Sequence, residues 1–231
     1  KGLAITFHGE GKDHNGRVVW TLAEINTKML LIIGIHAPSQ GDDPQFFKDD
    51  VFPILEKVDF DHVVIGGDFN LGMDRDLDYY GYTDNVHPRP KSLQELHKNI
   101  EHYKLLDIYR ELHPNGSEKT WRKWNKGSRK ADKEARLDYF IVDTGLASFV
   151  QLVGVSSPFT AAFDHRPTIL NLDFNKVTRG PGFWKFNNSM LEESEFINMV
   201  REQIAFVLSE YQLLDAPESV PLTVREVLFM T

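Results

Sequence analysis

Short apolar runs, cut by glycine, proline and polar clusters, set the rhythm of the chain. Residues 2–7 read as a strand, followed by a polar loop holding Gly9, Gly11 and Gly16. Residues 18–25 and 28–35 are apolar runs rich in β-branched side chains, and Asn26-Thr27 between them predicts a hairpin turn. His36-Ala37-Pro38 ends the second run, because proline cannot donate to a ladder. Residues 45–58 read as a helix with Phe46, Phe47, Val51, Ile54 and Leu55 near one face. His62-Val63-Val64-Ile65, closed by Gly66-Gly67, has the look of a strand buried on both faces.

Beyond it, residues 74–90 read as a long polar loop. Ser92-Leu93-Gln94-Glu95 has the form of a capping box, predicting a helix from there to about Lys104. Residues 119–124 and 136–142 are strand-like and joined by a basic loop; 152–155 and 168–174 are further strands. Residues 191–213 carry helical periodicity, with Phe196, Met199, Val200, Ile204, Val207 and Leu208 as the stripe. Mixed strands and helices with adjacent hairpins predict an α/β or α+β fold with a partly antiparallel sheet. A linker at 176–181 suggests one domain over residues 1–175 and a linker with helix over 176–231.

Composition narrows the chemistry. The 231 residues contain no cysteine, which excludes disulfides, thiolate zinc and a cysteine nucleophile. No apolar run is long enough to span a bilayer, so no membrane partner is expected. Net charge is −8, unlike a simple nucleic-acid coat protein, so any polyanion contact needs a local basic patch. One exists: residues 117–136 hold eight positive and three negative side chains. Lys119, Trp121, Arg122, Lys123, Lys126, Arg129 and Lys130 are its candidate DNA contacts, tryptophan interleaved with charge.

Three polar constellations interrupt the apolar pattern. Asp68 and Asn70, two apart, project to the same face at the end of a buried run, where carboxylate and amide oxygens suit a hard cation or a polarised water. Asp138 sits inside an apolar strand and needs a partner. Asp164-His165 precedes the last strand, and a histidine beside an acid can serve as base, acid or metal ligand.

In order along the chain, Gly67-Asp68-Phe69-Asn70, Arg136-Leu137-Asp138-Tyr139 and Phe163-Asp164-His165 resemble the GDFN, RIDY and SDH motifs of the endonuclease/exonuclease/phosphatase superfamily, the DNase I-like fold. Ile35-His36-Ala37-Pro38 looks like that family's strand ending in Tyr-Ala-Pro. Residues 105–114, Lys119-Thr120-Trp121 and the 180–189 tail are similar to the endonuclease domains of non-LTR, LINE-type retrotransposons and the linker beyond them.

The resemblance implies a four-layer α/β/β/α sandwich that here lacks its N-terminal strands, with a C-terminal linker helix. It implies that Asp68 and Asn70 hold and orient the attacking water. His165 then contacts the phosphate or takes a proton from the water, and Asp138 orients His165. Asp164, together with Asp68, places the metal or its water shell; His36 stands where a phosphate-bonding Tyr is usual. Mg²⁺, with Mn²⁺ as the substitute, is the implied cofactor. DNA is the implied partner, with a reverse transcriptase region in the same polypeptide and an intracellular, nuclear location. The activity implied is metal-dependent nicking of one DNA strand. The alternatives are a phosphoesterase for another phosphate ester and a decayed, non-catalytic module. Two strands upstream of Gly2, bearing an Asn and a metal-binding Glu, are also implied and lie outside this chain.

Overall fold

The hairpin expected at Asn26-Thr27 forms. Both residues adopt left-handed backbone, with φ +50° and +65°, as a two-residue turn matched to strand twist requires. It joins β2 (Val18–Ile25) to β3 (Lys28–His36). The first strand, β1 (Ile5–Lys12), pairs antiparallel with β2 along its length, so Gly9 and Gly11 lie in a strand and not in the expected loop. These glycines make room for the Trp20 indole, whose Nε1 lies 2.5 Å from where a Cβ on Gly11 would stand. The computed structural model describes residues 5–83, 87–124, 131–156, 159, 163–174 and 194–210.

The chain forms two compact units, Lys1–Val177 and Thr178–Thr231. In the first, the strands after β3 are β4 (His62–Asp68), β5 (Tyr79–Tyr80), β6 (Leu105–Asp107), β7 (Trp121–Trp124), β8 (Ala131–Ala135), β9 (Asp138–Asp143), β10 (Val150–Val155) and β11 (Thr168–Leu172). Six of them make one sheet in the order β1-β2-β3-β4-β9-β6; β5-β8-β7 and β10-β11 make two smaller ones. Within the large sheet only the β3–β4 pair is parallel.

Alternation along these strands sorts the side chains into two layers. Leu31, Ile33, Ile35, Val63, Ile65, Tyr139 and Ile141 face one core, covered by Phe46, Phe47 and Leu55 and by Leu96 of a helix. Leu30, Val64 and Val142 face the other, covered by Ile108, Leu146 and β10–β11. On that second face Val19 and Ile32 stay exposed.

The helical segments depart from the sequence pattern in instructive ways. Residues 45–58 split into Phe46–Val51 and α1 (Ile54–Lys57), because Pro53 has no N–H to continue a single ladder. The 74–90 loop contains a short turn, α2 (Arg75–Asp78), capped by the Asp74 carboxylate on the Asp76 and Leu77 amides. The next helix, α3 (Pro90–His102), starts earlier than the apparent capping box. Ser92 Oγ instead donates to Asp42 Oδ1 at 2.6 Å, and Asp42 also accepts from the Lys91 and Ser92 amides at 2.8 Å. A distant loop therefore caps this helix. The pattern missed β6 and α4 (Ile108–Leu112). In the second unit α5 (Ser194–Glu210) occupies the periodic stretch expected to be helical, with Phe196, Val207 and Leu208 of the stripe outside the described side chains. Among the described residues no helix is long and apolar enough to cross a membrane.

Candidate active site

Register alone brings three of the candidate residues side by side. Asp68, the last residue of β4, pairs with His36 on β3 and with Asp138 on β9. Partners in one row of a sheet present their side chains on the same face. Here that face is the one carrying Val64 and Val142, next to the second layer.

The local backbone explains why this sequence makes such an end. Gly67 has φ +138°, and a Cβ there would stand 2.1 Å from the Ile35 carbonyl oxygen. Only glycine lets β3 and β4 approach so closely at the last pair before Asp68. Gly66 leaves space for the Phe140 ring. The glycines thus serve strand packing at these positions. Phe69 turns inward and stacks on Tyr139 with ring centroids 4.1 Å apart. That anchor forces the chain through Asn70 in left-handed backbone at φ +51°, a conformation Asn tolerates. Asn70 N–H donates to Asp68 Oδ1 at 2.8 Å, and its Nδ2 donates to Ala37 O at 2.8 Å and Asp68 Oδ2 at 3.0 Å. The amide carbonyl of Asn70 accepts no hydrogen bond among the described residues.

His165 arrives from the other side. It pairs across to Trp121, while Arg122 N–H donates to Asp164 O at 2.9 Å and Arg166 N–H to Thr120 O at 2.7 Å. The β7 backbone therefore carries the His165 loop. Thr120 is fully buried, and its hydroxyl oxygen accepts from the Leu137 and Asp138 amides at 2.9 Å each. One residue so ties the histidine loop to the start of β9. Below it, Arg136 is buried and paired with Asp78 (Nε to Oδ1, 2.7 Å) and Asp107. Sequence reading gave Thr120 and Arg136 no role of their own, and their partners lie 17, 18, 29 and 58 residues away, so no local signal marks them.

The result is a tight cluster. His165 Nδ1 donates to Asp138 Oδ2 at 2.8 Å. Asp68, Asp138 and His165 each offer a ligand atom within 4.8 Å of the others. His36 Nε2 lies 3.9 Å from Asp68 Oδ2 and its ring is largely exposed. Burial, then repulsion from Asp138, pushes the Asp68 carboxyl above the ordinary carboxylate value. The hydrogen bond from His165 to Asp138 raises the imidazole, against burial. A carboxylate can only accept, so Nδ1 carries the proton.

A hard divalent cation fits this donor set. Two carboxylates converge, one of them destabilised as an anion, and a cation beside them would relieve the repulsion. Asp164 is exposed and does not join the cluster.

The expected DNA contacts separate. Lys119 Nζ donates to the Leu77 and Ser117 carbonyls at 2.6 and 2.7 Å, and Trp121 packs against Tyr79, Ala135 and Leu137. Arg122 pairs with Glu134 and lies over Trp124 and Phe159. Lys123 is exposed, while Lys126, Arg129 and Lys130 lie outside the described residues.

The fold is of the DNase I-like type. Known structures of similar fold include an AP endonuclease from Archaeoglobus fulgidus (18% identity, TM-score 0.57, covering 74% of this chain and 80% of that one). Another is the 3′-5′ exonuclease NExo from Neisseria meningitidis (23% identity, TM-score 0.54, covering 74% and 71%). A third is the endonuclease domain of TRAS1, a telomere-specific non-LTR retrotransposon (12% identity, TM-score 0.53, covering 75% and 70%). In sequence, the chain is 26% identical over 191 residues to the Transposon TX1 uncharacterized 149 kDa protein of Xenopus laevis. The match covers 81% of this chain and spans 14% of that protein. No protein-family model matches the chain.

Proposed function

We propose that this chain is the endonuclease region of a retrotransposon-type polypeptide, a metal-dependent phosphodiesterase that nicks one strand of DNA. The observation that supports this reading is the convergence of Asp68, Asp138 and His165 within 4.8 Å at one end of the large sheet. Asp68 holds the attacking water and accepts its proton. Asn70 orients that water through its amide carbonyl. His165, kept cationic by Asp138, donates from Nε2 to a phosphate oxygen, and Asp138 holds the ring in the required tautomer. His36 supplies a further donor at the edge.

A Mg²⁺ or Mn²⁺ ion would be held by the converging Asp68 and Asp138 carboxylates, with Asp164 reaching only its water shell, and would neutralise charge on the phosphate. Water oxygen bonds to phosphorus as the bond from phosphorus to O3′ breaks; the leaving oxygen takes up a proton. The products are a 5′-phosphate and a 3′-hydroxyl. That hydroxyl is a primer for a reverse transcriptase in the same polypeptide, and the reading carries a nuclear location with it. The basic β7–β8 hairpin favours DNA over lipid or sugar phosphates.

The test is a supercoiled-plasmid assay with Mg²⁺ and with EDTA. Conversion to the open circle in Mg²⁺ alone, lost in Asp68→Ala and His165→Ala, is the expected outcome. Nicking that survives both substitutions would falsify the assignment.

A further inference from the structure

The two faces of the β5-β8-β7 sheet are built on opposite charge rules. Register sets Arg122 against Glu134, and their side chains pair. One residue along, it sets Lys123 against Lys133. Like charges directly opposite on one face repel, a cost the same hairpin avoids on its other face. Neither lysine has a carboxylate within ion-pairing distance among the described residues. Lys133 Nζ instead lies 4.4 Å from the centre of the Tyr82 ring.

This face leads to the site. Trp121 alternates with Arg122, so it shares the face of Lys123; His165 pairs directly across from Trp121 and presents its ring there too. Tyr79, opposite Ala135, and Tyr82 complete an aromatic floor with Trp121. At its far side Arg75 lies 5.8 and 6.0 Å from the Tyr79 and Tyr82 rings, and an open depression of about 630 Å³ is lined by Arg75, Asp76, Tyr79 and Tyr82. Lys123 stands two strand residues beyond Trp121, about 7 Å.

We propose that the Lys123–Lys133 pair is a subsite for a backbone phosphate of the DNA strand flanking the scissile bond, with Tyr82 as its floor. This rests on the nuclease reading and adds to it: the strand crosses the face shared with His165 and not the Arg122 face. A phosphate between the two ammonium groups converts their repulsion into attraction.

The experiment is duplex-DNA binding by the full chain in EDTA across a salt series, with plasmid nicking in Mg²⁺ on the same preparations. Lys123→Gln and Lys133→Gln each reduce the slope of log affinity against log salt, and the double variant loses about 0.9 in all, the one shared phosphate contact. Arg122→Gln leaves the slope unchanged. Lys123→Glu weakens binding further, and it raises the melting temperature of the DNA-free protein by setting a carboxylate opposite Lys133. A purely structural pair would not couple these two changes in opposite directions. Unchanged slopes in both lysine variants, with wild type still nicking and Asp68→Ala inactive, overturn the subsite and leave the nuclease reading standing. A slope that falls as much in Arg122→Gln overturns the choice of face. Wild type that neither binds nor nicks overturns both.

Discussion

Strands β4 and β9 carry a histidine–aspartate pair at each end of their ladder. At one end His62, which opens β4, bonds through Nδ1 to Asp143 Oδ1 at 3.1 Å. At the other His165 bonds through Nδ1 to Asp138 Oδ2 at 2.8 Å. The chemistry of the two contacts is the same, but their surroundings differ. Asp143 also accepts from the Val63 amide at 2.8 Å and the Leu146 amide at 2.9 Å, and the His62 side chain is 13% exposed and edge-on to Phe149. Three acceptor positions of that carboxylate are used, on the His62 ring and the Val63 and Leu146 amides. Asp138 uses one oxygen on His165, stands in the same row as Asp68, and serves a ring that is 36% exposed. A His–Asp contact is therefore not a sign of catalysis. A second carboxylate, Asp68, and a more exposed ring set the His165 end apart.

The comparison predicts a clean exchange of effects. Asp138→Asn leaves the ring without its anionic partner, and nicking falls by about a thousand- to ten-thousand-fold while the melting temperature changes little. Asp143→Ala does the reverse. It removes three hydrogen bonds at a strand end and costs about 3 kcal/mol in a denaturant titration, with the rate per folded molecule unchanged. Loss of activity in Asp143→Ala beyond its unfolded fraction would break the distinction.

How far the sequence reveals these two ends follows from the separation of the partners. The Asn26-Thr27 turn and the run from His62 to Gly67 are local patterns and were legible, as were the positions of Asp68, Asn70, Asp138 and His165. Strand β8 was not: Ala-Asp-Lys-Glu-Ala has poor strand propensity, and pairing with β5 and β7 imposes its conformation. The cap on α3 comes from Asp42 across a separation of 50 residues, and His62 and Asp143 are 81 residues apart. No window along the chain contains either contact. Asp78 is the same case, polar in sequence yet fully buried because Arg136 and Arg110 meet it there.

Thr120 sharpens the comparison at the Asp138 end. It holds the Asp138 backbone as Val63 and Leu146 hold the Asp143 carboxylate. Thr120→Val keeps the volume and removes the acceptor of two amides, so it costs about 2 kcal/mol of stability. Thr120→Ser retains the oxygen and most of the stability. Because the Asp138 amide is one of the two released, nicking by Thr120→Val falls less than in Asp138→Asn and more than in Asp143→Ala.

The smallest effect is a titration in the metal-free protein. The hydrogen bond to Asp138 raises the His165 pKa above its ordinary 6.5, with the charges of Asp138, Asp68 and Asp164 adding to it against burial. A group whose pKa is higher folded than unfolded favours folding while protonated. That contribution is complete below about pH 6.5 and fades as pH rises through the higher folded value. Followed by NMR, the His165 ring protons shift with a midpoint above 6.5, and Asp138→Asn brings that midpoint down. Removing Asp143 leaves it where it was, since that carboxylate belongs to the other end of the ladder. A His165 midpoint that moves with Asp143 and ignores Asp138 would mean that the two ends are not independent, and that the open imidazole is tuned by the fold at large and not by the carboxylate it touches.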